Sequence, residues 1–141
     1  MSLLVIAEEP PDSAADTAIH EGLVAYNGAA TGHHTARARL FLTARDAEGR
    51  LLGGVKGEVA MDWLYIDRLW LEAEARGQGL GTRLLAAIED AGRAHGAIGA
   101  HLFSSTFQAP GFYIRHGYAE IGRLADRPPG QDRVWLSKRW G

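Results

Sequence analysis

A glycine-rich turn separates a strand-like segment from the most regular helical pattern of the chain. Residues 63–71 are dense in aromatic and branched side chains, which favours a β-strand. From Leu80 onward, apolar residues recur at three- or four-residue spacing and predict an amphipathic helix. The glycines at 77, 79 and 81 let the intervening backbone approach a ligand closely. This order predicts an anion site, because the first N–H groups of a helix and its dipole point into such a turn.

The remaining pattern predicts one α+β domain over residues 1–141, with a mixed, mostly antiparallel central sheet flanked by helices. The predicted strands are 3–8, 40–44, 51–60, 63–71, 97–103, 118–124 and 133–138. The predicted helices are one from the capping signal Asp12-Ser13 to a stop at Asn27-Gly28, one from Leu80, and a short one over 109–116. Strict alternation would place Trp63, Tyr65, Asp67, Leu69 and Leu71 on one face of their strand.

Composition excludes several classes of function. The chain has no cysteine, so disulfides, thiolate metal sites and a cysteine nucleophile are excluded. The formal net charge is −2, and Lys and Arg form no basic stripe, so we expect no nucleic-acid partner. No apolar run reaches membrane-spanning length, and the opening segment lacks the basic flank of a signal peptide, so we expect a cytoplasmic protein without membrane contact. The adjacent His33 and His34 have no matching ligand spacing elsewhere, so we expect no metal.

Other phosphate-binding loops do not fit the turn. A dinucleotide fingerprint would need glycine at position 82 or 84, where Thr82 and Leu84 stand. A P-loop would need lysine after its last glycine, and the chain continues from Gly81 to Thr82-Arg83.

Residues 76–85, RGQGLGTRLL, resemble the coenzyme A signature of the GNAT superfamily of N-acetyltransferases, Arg/Gln-x-x-Gly-x-Gly/Ala, with all three fixed positions present. Downstream, residues 112–118, FYIRHGY, resemble the second signature of that family. Two signatures in this order and separation are more specific than either alone, and the resemblance covers most of the chain. It implies a GNAT-like acyl-CoA N-acyltransferase fold. One departure is Thr106, where many members of the family carry an asparagine that helps to hold the cofactor.

The resemblance implies acetyl-coenzyme A as the acyl donor. In the family, N–H groups of the turn hold the pyrophosphate, the preceding strand pairs with the pantetheine arm, and a strand N–H meets the thioester carbonyl as an oxyanion donor. The cofactor-binding residues implied here are Leu69, Trp70, Leu71, Arg76, Gly77, Gln78, Gly79, Leu80, Gly81 and Thr82. Tyr113 matches the family tyrosine near the coenzyme sulfur. A phenol is about 1.5 pKa units weaker as an acid than a thiol, so hydrogen bonding to the developing thiolate describes its role better than full proton donation.

Asp67 is the best single candidate for a general base, since an amine acceptor must lose a proton before it attacks. Water can instead remove the proton while Asp62, Asp67 or Glu72 attracts the cation, and both routes stay open.

The expected activity is acetyl transfer to a primary amine of a small molecule or peptide, by direct attack in a ternary complex. The alternative is a non-catalytic module that binds acyl-coenzyme A as a sensor, and a weaker one is another acyl donor or an alcohol acceptor. The resemblance also leaves a homodimer open, because similar folds often pair into dimers.

Overall fold

The computed structural model describes residues 4–32 and 37–141. Contacts divide the chain into two units, one up to residue 34 and one from residue 35 onward. That both units belong to one domain stays a prediction from sequence.

In residues 4–32, the described part of the first unit, there is one helix, α1, over Ala14–Thr31. The Ser13 hydroxyl accepts a hydrogen bond from the Asp16 N–H at 3.4 Å, so the predicted capping signal starts this helix. The predicted stop at Asn27-Gly28 is wrong, because the helix runs through Ala29-Ala30, two strong helix formers, and ends at the left-handed Gly32.

The predicted first strand is also wrong over its described part. Residues 4–10 have no regular secondary structure. The five apolar residues that suggested a strand run directly into two glutamates and two prolines, and proline has no N–H to donate to a sheet.

The second unit is built on a six-stranded sheet with the order β1-β2-β3-β4-β6-β5. Its elements are β1 (Ala38–Arg45), β2 (Leu51–Ala60), β3 (Trp63–Leu71), a 3₁₀ turn (Ala73–Ala75), α2 (Leu80–Ala94), β4 (Gly99–Ser105), α3 (Pro110–Arg115), β5 (Ala119–Leu124) and β6 (Arg133–Arg139). All neighbouring strands are antiparallel except β3 and β4, which are parallel. This confirms the predicted α+β fold class.

Helix α2 connects the two parallel strands and packs on one face of the sheet. Leu85 and Ile88 of the helix and Leu64 of β3 are almost completely buried, each contributing roughly 1.5–3 kcal/mol by burial. The helix lies close because a Cβ on Gly92 would come within 3.0 Å of the Leu64 side chain, and one on Gly57 within 3.0 Å of Ile88. This contact fixes where the start of α2 lies relative to the end of β3.

No helix in the described part of the chain is both long and apolar enough to cross a membrane.

Candidate active site

Strands β3 and β4 separate part of the way along the sheet. Only residues 63–66 of β3 pair with residues 99–102 of β4, although β3 continues to Leu71 and β4 to Ser105. The register between β2 and β3 also skips one position at Asp67, which marks a β-bulge at the point of separation. The strands therefore leave a gap in the sheet beyond Ile66, and we call it the cleft.

The edge of β3 that borders the cleft carries backbone groups that pair with no other strand. The Glu72 N–H donates to the Leu52 carbonyl of β2 at 2.8 Å. Hydrogen-bonded positions alternate along an antiparallel pair, so Trp70 also bonds toward β2, whereas Leu69 and Leu71 turn their N–H and C=O groups toward the cleft. The sequence-predicted Leu69 and Leu71 thus offer a strand edge on which an extended ligand can pair.

The bulge corrects the predicted register of β3. Leu64 lies against α2 before the bulge, and Leu71 lies against α2 after it. Side chains therefore exchange faces at Asp67, and the prediction that Trp63, Tyr65, Asp67, Leu69 and Leu71 share one face is wrong. Strict alternation fails because the extra residue shifts the pleat by one position.

Asp67 nevertheless lines the cleft. Its side chain is 37% exposed and forms an ion pair with Arg68 at 3.2 Å. The two neighbours meet on the same side because the bulge disrupts the alternation that would separate them.

Of the three carboxylates named as groups that could attract the cation, only Asp67 lines the cleft. Asp62 precedes β3 and Glu72 follows it, so they lie at opposite ends of the strand, and neither lines the cleft. Glu72 instead pairs with Arg50. Among the described residues that line the cleft, Asp67 is the only carboxylate, and the positive charges are Arg68, Arg76 and Arg115.

The glycine-rich turn between β3 and α2 adopts backbone conformations that suit glycine. Gly77 and Gly79 have φ values of 76° and 80°, and open space surrounds the place where each would carry a Cβ. The Arg76 Nε donates to the Leu71 carbonyl at 3.2 Å, and the Gln78 amide donates to the Glu74 carbonyl at 3.2 Å. These two side-chain hydrogen bonds stabilise the conformation of the turn.

Helix α2 begins with unsatisfied N–H groups. Gly79 is its N-cap, and within the described chain no side chain caps this end. The first bond along the helix is donated by the Arg83 N–H to the Gly79 carbonyl at 3.1 Å, so the N–H groups of Leu80, Gly81 and Thr82 have no partner within the helix. An anion bound here would meet several donors and the positive end of the helix dipole.

Thr82 and His116 connect the start of α2 to the end of α3. The His116 Nδ1 lies 2.7 Å from the Phe112 carbonyl, which only accepts, so in the neutral ring Nδ1 carries the proton. The Nε2 atom then accepts from the Thr82 hydroxyl at 3.0 Å. The sequence-predicted Thr82 therefore holds two elements together through its side chain, and its backbone N–H remains at the open helix end.

The aromatic wall of the cleft comes from α3. Phe112 and Tyr113 line it, and a Cβ on Gly81 would lie 3.4 Å from the Phe112 ring. The Phe112 ring of α3 therefore packs directly over Gly81 at the start of α2. Burial raises the pKa of Tyr113 above its usual value, so its phenol stays protonated around neutral pH.

The cleft has a volume of about 680 Å³. Of the sequence-predicted site residues, Asp67, Leu69, Trp70, Leu71, Arg76, Gly81 and Tyr113 line it together. Gly77, Gln78, Gly79, Leu80 and Thr82 are not in its wall; they form the adjoining turn and helix start, and Leu80 packs against the core.

Sequence reasoning missed Gln108 in the wall of the cleft. Its Oε1 accepts from the Ser105 N–H at 2.8 Å, so the amide orientation is set and its NH₂ group is left for other contacts. Thr106, the noted departure, does not line the cleft and instead donates to Gln131 at 2.7 Å. The sequence does place Gln108 two residues before Pro110, where α3 begins, and this position was the one signal that Gln108 lies near the predicted Phe-Tyr helix.

The described residues contain no group of three or more His, Asp or Glu side chains that could hold a metal. His33 and His34 lie outside the described residues.

A strand edge, an open helix end and a partly buried tyrosine surround one cleft, and this arrangement suits an extended anionic ligand. Residues 7–118 match the acetyltransferase (GNAT) family. The acetyltransferase Atu2258 of Agrobacterium fabrum (strain C58 / ATCC 33970) is 36% identical over 135 residues, covering 96% of this chain and 98% of that protein. This chain belongs to the GNAT family and is an acyltransferase enzyme. A non-catalytic sensor is therefore not retained.

Other similarities agree with this assignment. Blasticidin-S acetyltransferase of Streptomyces morookaense is 48% identical over 83 residues, covering 58% of this chain and 61% of that protein. The crystal structure of an acetyltransferase from Bacillus cereus ATCC 14579 has a TM-score of 0.81 at 28% identity, covering 95% of this chain and 98% of the other. An aminoglycoside 6'-N-acetyltransferase, solved with coenzyme A, shares the fold with a TM-score of 0.65 at 20% identity, covering 72% of each chain.

Proposed function

We propose that this enzyme transfers acetyl from acetyl-coenzyme A to a primary amine of a small molecule or peptide, by direct attack in a ternary complex. The observation that carries the proposal is the cleft, which has an open helix end at one side and the partly buried Tyr113 in its wall. The relative named for acetylation of blasticidin S favours a small molecule as acceptor.

The donor's phosphates would bind at the start of α2. The N–H groups of Leu80, Gly81 and Thr82 would donate to the pyrophosphate, with Arg76 adding positive charge beside it. The pantetheine arm would pair with the cleft edge of β3 at Leu69 and Leu71. The Leu69 N–H would then donate to the thioester oxygen as negative charge develops there.

The acceptor would attack the thioester carbon as a neutral amine. The new C–N bond forms as the C–S bond breaks, and the proton of the amine goes to Asp67, directly or through water. The electron pair of the C–S bond leaves on sulfur, where the Tyr113 hydroxyl donates a hydrogen bond. Because burial raises the pKa of Tyr113, it is a weaker acid than an ordinary phenol, and stabilising the thiolate suits it better than protonating it.

Thermal unfolding with acetyl-coenzyme A, coenzyme A, NAD and ATP tests the donor. A ligand at 100 times its dissociation constant stabilises the folded state by about 2.7 kcal/mol, enough to raise the midpoint by several degrees. We expect a shift with the two coenzyme A species alone. No shift at saturating acetyl-coenzyme A would contradict the proposed donor.

An amine panel read by mass spectrometry then tests the reaction. We expect an acetylated amine and free coenzyme A in equal amounts, with initial-rate lines that intersect when both substrates are varied. Parallel lines would indicate a covalent acetyl-enzyme and contradict direct attack. Products that are esters, or no product with any amine, would contradict the proposed acceptor class.

A further inference from the structure

Helix α3 ends in a closed turn that includes Tyr113. The Tyr118 N–H donates to the Tyr113 carbonyl at 3.0 Å, and the Gly117 N–H donates to the Ile114 carbonyl at 3.1 Å. Gly117 has a φ of 93°, as this type of helix end requires. The rings of Tyr118 and Tyr113 also meet edge to face, with centroids 5.8 Å apart. Tyr118 therefore contacts Tyr113 through both its backbone and its ring.

Tyr118 is in turn fixed to α2 and β6. Its side chain is buried, and its hydroxyl donates to the Glu89 carboxylate at 2.7 Å. Glu89 is itself buried in α2 and accepts from the Lys138 ammonium at 3.2 and 3.3 Å. A buried carboxylate is tolerated because both partners donate to it. The carboxylate thus holds Tyr118 from one side and is held by β6 from the other.

None of Glu89, Tyr118 and Lys138 lines the cleft. They can therefore influence the reaction only through residues that do, and Tyr113 is the cleft residue that Tyr118 contacts. Helix α2 carries the donor-binding turn at its start and Glu89 farther along.

We propose that Glu89 and Tyr118 are positioning residues, which fix the Tyr113 hydroxyl relative to the start of α2 and so relative to the donor's sulfur. This inference rests on the proposed function, in which Tyr113 donates to that sulfur. A hydroxyl that is displaced from the sulfur by a fraction of a bond length stabilises the thiolate less, and turnover is sensitive to such displacement.

The variant Tyr118→Phe keeps the ring contact and removes the hydroxyl that Glu89 holds. We expect kcat to fall about tenfold. The KM for acetyl-coenzyme A should stay within about twofold, because the substitution does not touch the glycine-rich turn at the start of α2. The same change in a Tyr113→Phe background should leave kcat unchanged, since no hydroxyl remains there to position.

Val59→Ala serves as a matched control for general destabilisation. Val59 is buried in β2 and does not line the cleft. The Val59→Ala substitution should lower the unfolding midpoint but change kcat little. Any change in kcat should be by the same factor in the wild type and in the Tyr113→Phe variant.

Glu89 provides an independent pair of variants, which also serves if Tyr118→Phe does not fold. Glu89→Gln keeps an acceptor oxygen for the Tyr118 hydroxyl, whereas Glu89→Leu removes it. We expect the glutamine variant to retain most of kcat and the leucine variant to lose about as much as Tyr118→Phe.

The outcomes separate the two proposals. If Tyr118→Phe lowers kcat by the same factor in both backgrounds, or not at all, Glu89 and Tyr118 are only structural and the inference is overturned. If Tyr113→Phe alone leaves kcat unchanged, the proposed role of Tyr113 fails first and the inference fails with it.

Discussion

The start of α2 and the end of α3 lie beside the same cleft, but their backbone groups are satisfied in opposite ways. The start of α2 leaves N–H groups without a partner in the described chain. The end of α3 is closed, because the carbonyls of Phe112, Tyr113 and Ile114 all accept hydrogen bonds from the residues that follow. Under the proposed function, the open end binds the donor through its free N–H groups, and the closed end holds the Tyr113 side chain in place.

The largest effect is expected from a substitution that strains the backbone at the start of α2. Gly79→Ala places a side chain on a left-handed residue, which costs roughly 1–2 kcal/mol of stability. A change of φ at this residue would move the N–H groups of Leu80 and Gly81 away from the proposed phosphate positions. Each lost bond to a charged group costs about 1.5–3 kcal/mol, so we expect kcat/KM to fall about a hundredfold or more and the thermal shift with acetyl-coenzyme A to disappear.

The same helix offers a matched control at its other end. Gly96 has a φ of 88° and, like Gly79, open space where a Cβ would be. Gly96→Ala should therefore lose similar stability while the acetyl-coenzyme A shift stays intact. Equal loss of the shift in both variants would show that the open end of α2 is not the donor site.

The closed end is tested next by Tyr113→Phe. Loss of a positioned hydrogen-bond donor to the leaving sulfur should lower kcat by about a hundredfold, in the range that removal of one preorganised donor to a developing negative charge costs. The dissociation constant for coenzyme A, measured by calorimetry, should change little, because the phosphates bind elsewhere. A large loss of affinity with unchanged kcat would instead make Tyr113 a binding residue.

These two regions also show what the sequence could predict. The glycines of the turn and the Phe-Tyr helix are local signals, because left-handed backbone and helix spacing leave residue patterns. The bulge at Asp67 leaves no such pattern, and strict alternation therefore put the odd-numbered residues before and after it on one face. The bonds of Glu89 to Tyr118 and Lys138 join residues far apart in the chain, and their partners become visible only once the sheet is assembled.

A smaller effect is expected where the two helix ends meet. Thr82→Val removes the hydroxyl that donates to His116 and keeps a similar shape. The loss of one hydrogen bond should lower the free energy of unfolding by about 1 kcal/mol and raise the KM for acetyl-coenzyme A a few fold. Thr82→Ser keeps the hydroxyl and should resemble the wild type in both measurements. If serine and valine behave alike, the bond to His116 does not hold the two ends together.

The last effect appears only in stability at high pH. Burial raises the pKa of Tyr113, and burial followed by the hydrogen bond to Glu89 raises the pKa of Tyr118 well above its usual range. Above pH of about 10 the unfolded chain loses these protons while the folded chain keeps them, so the free energy of unfolding falls by up to about 1.4 kcal/mol per pH unit for each tyrosine. Tyr118→Phe removes one such group, so its stability deficit relative to the wild type should shrink from pH 9 to 11 in urea unfolding. The deficit of Val59→Ala should not change, and a constant deficit for Tyr118→Phe would mean that the closed end does not hold its tyrosine protonated.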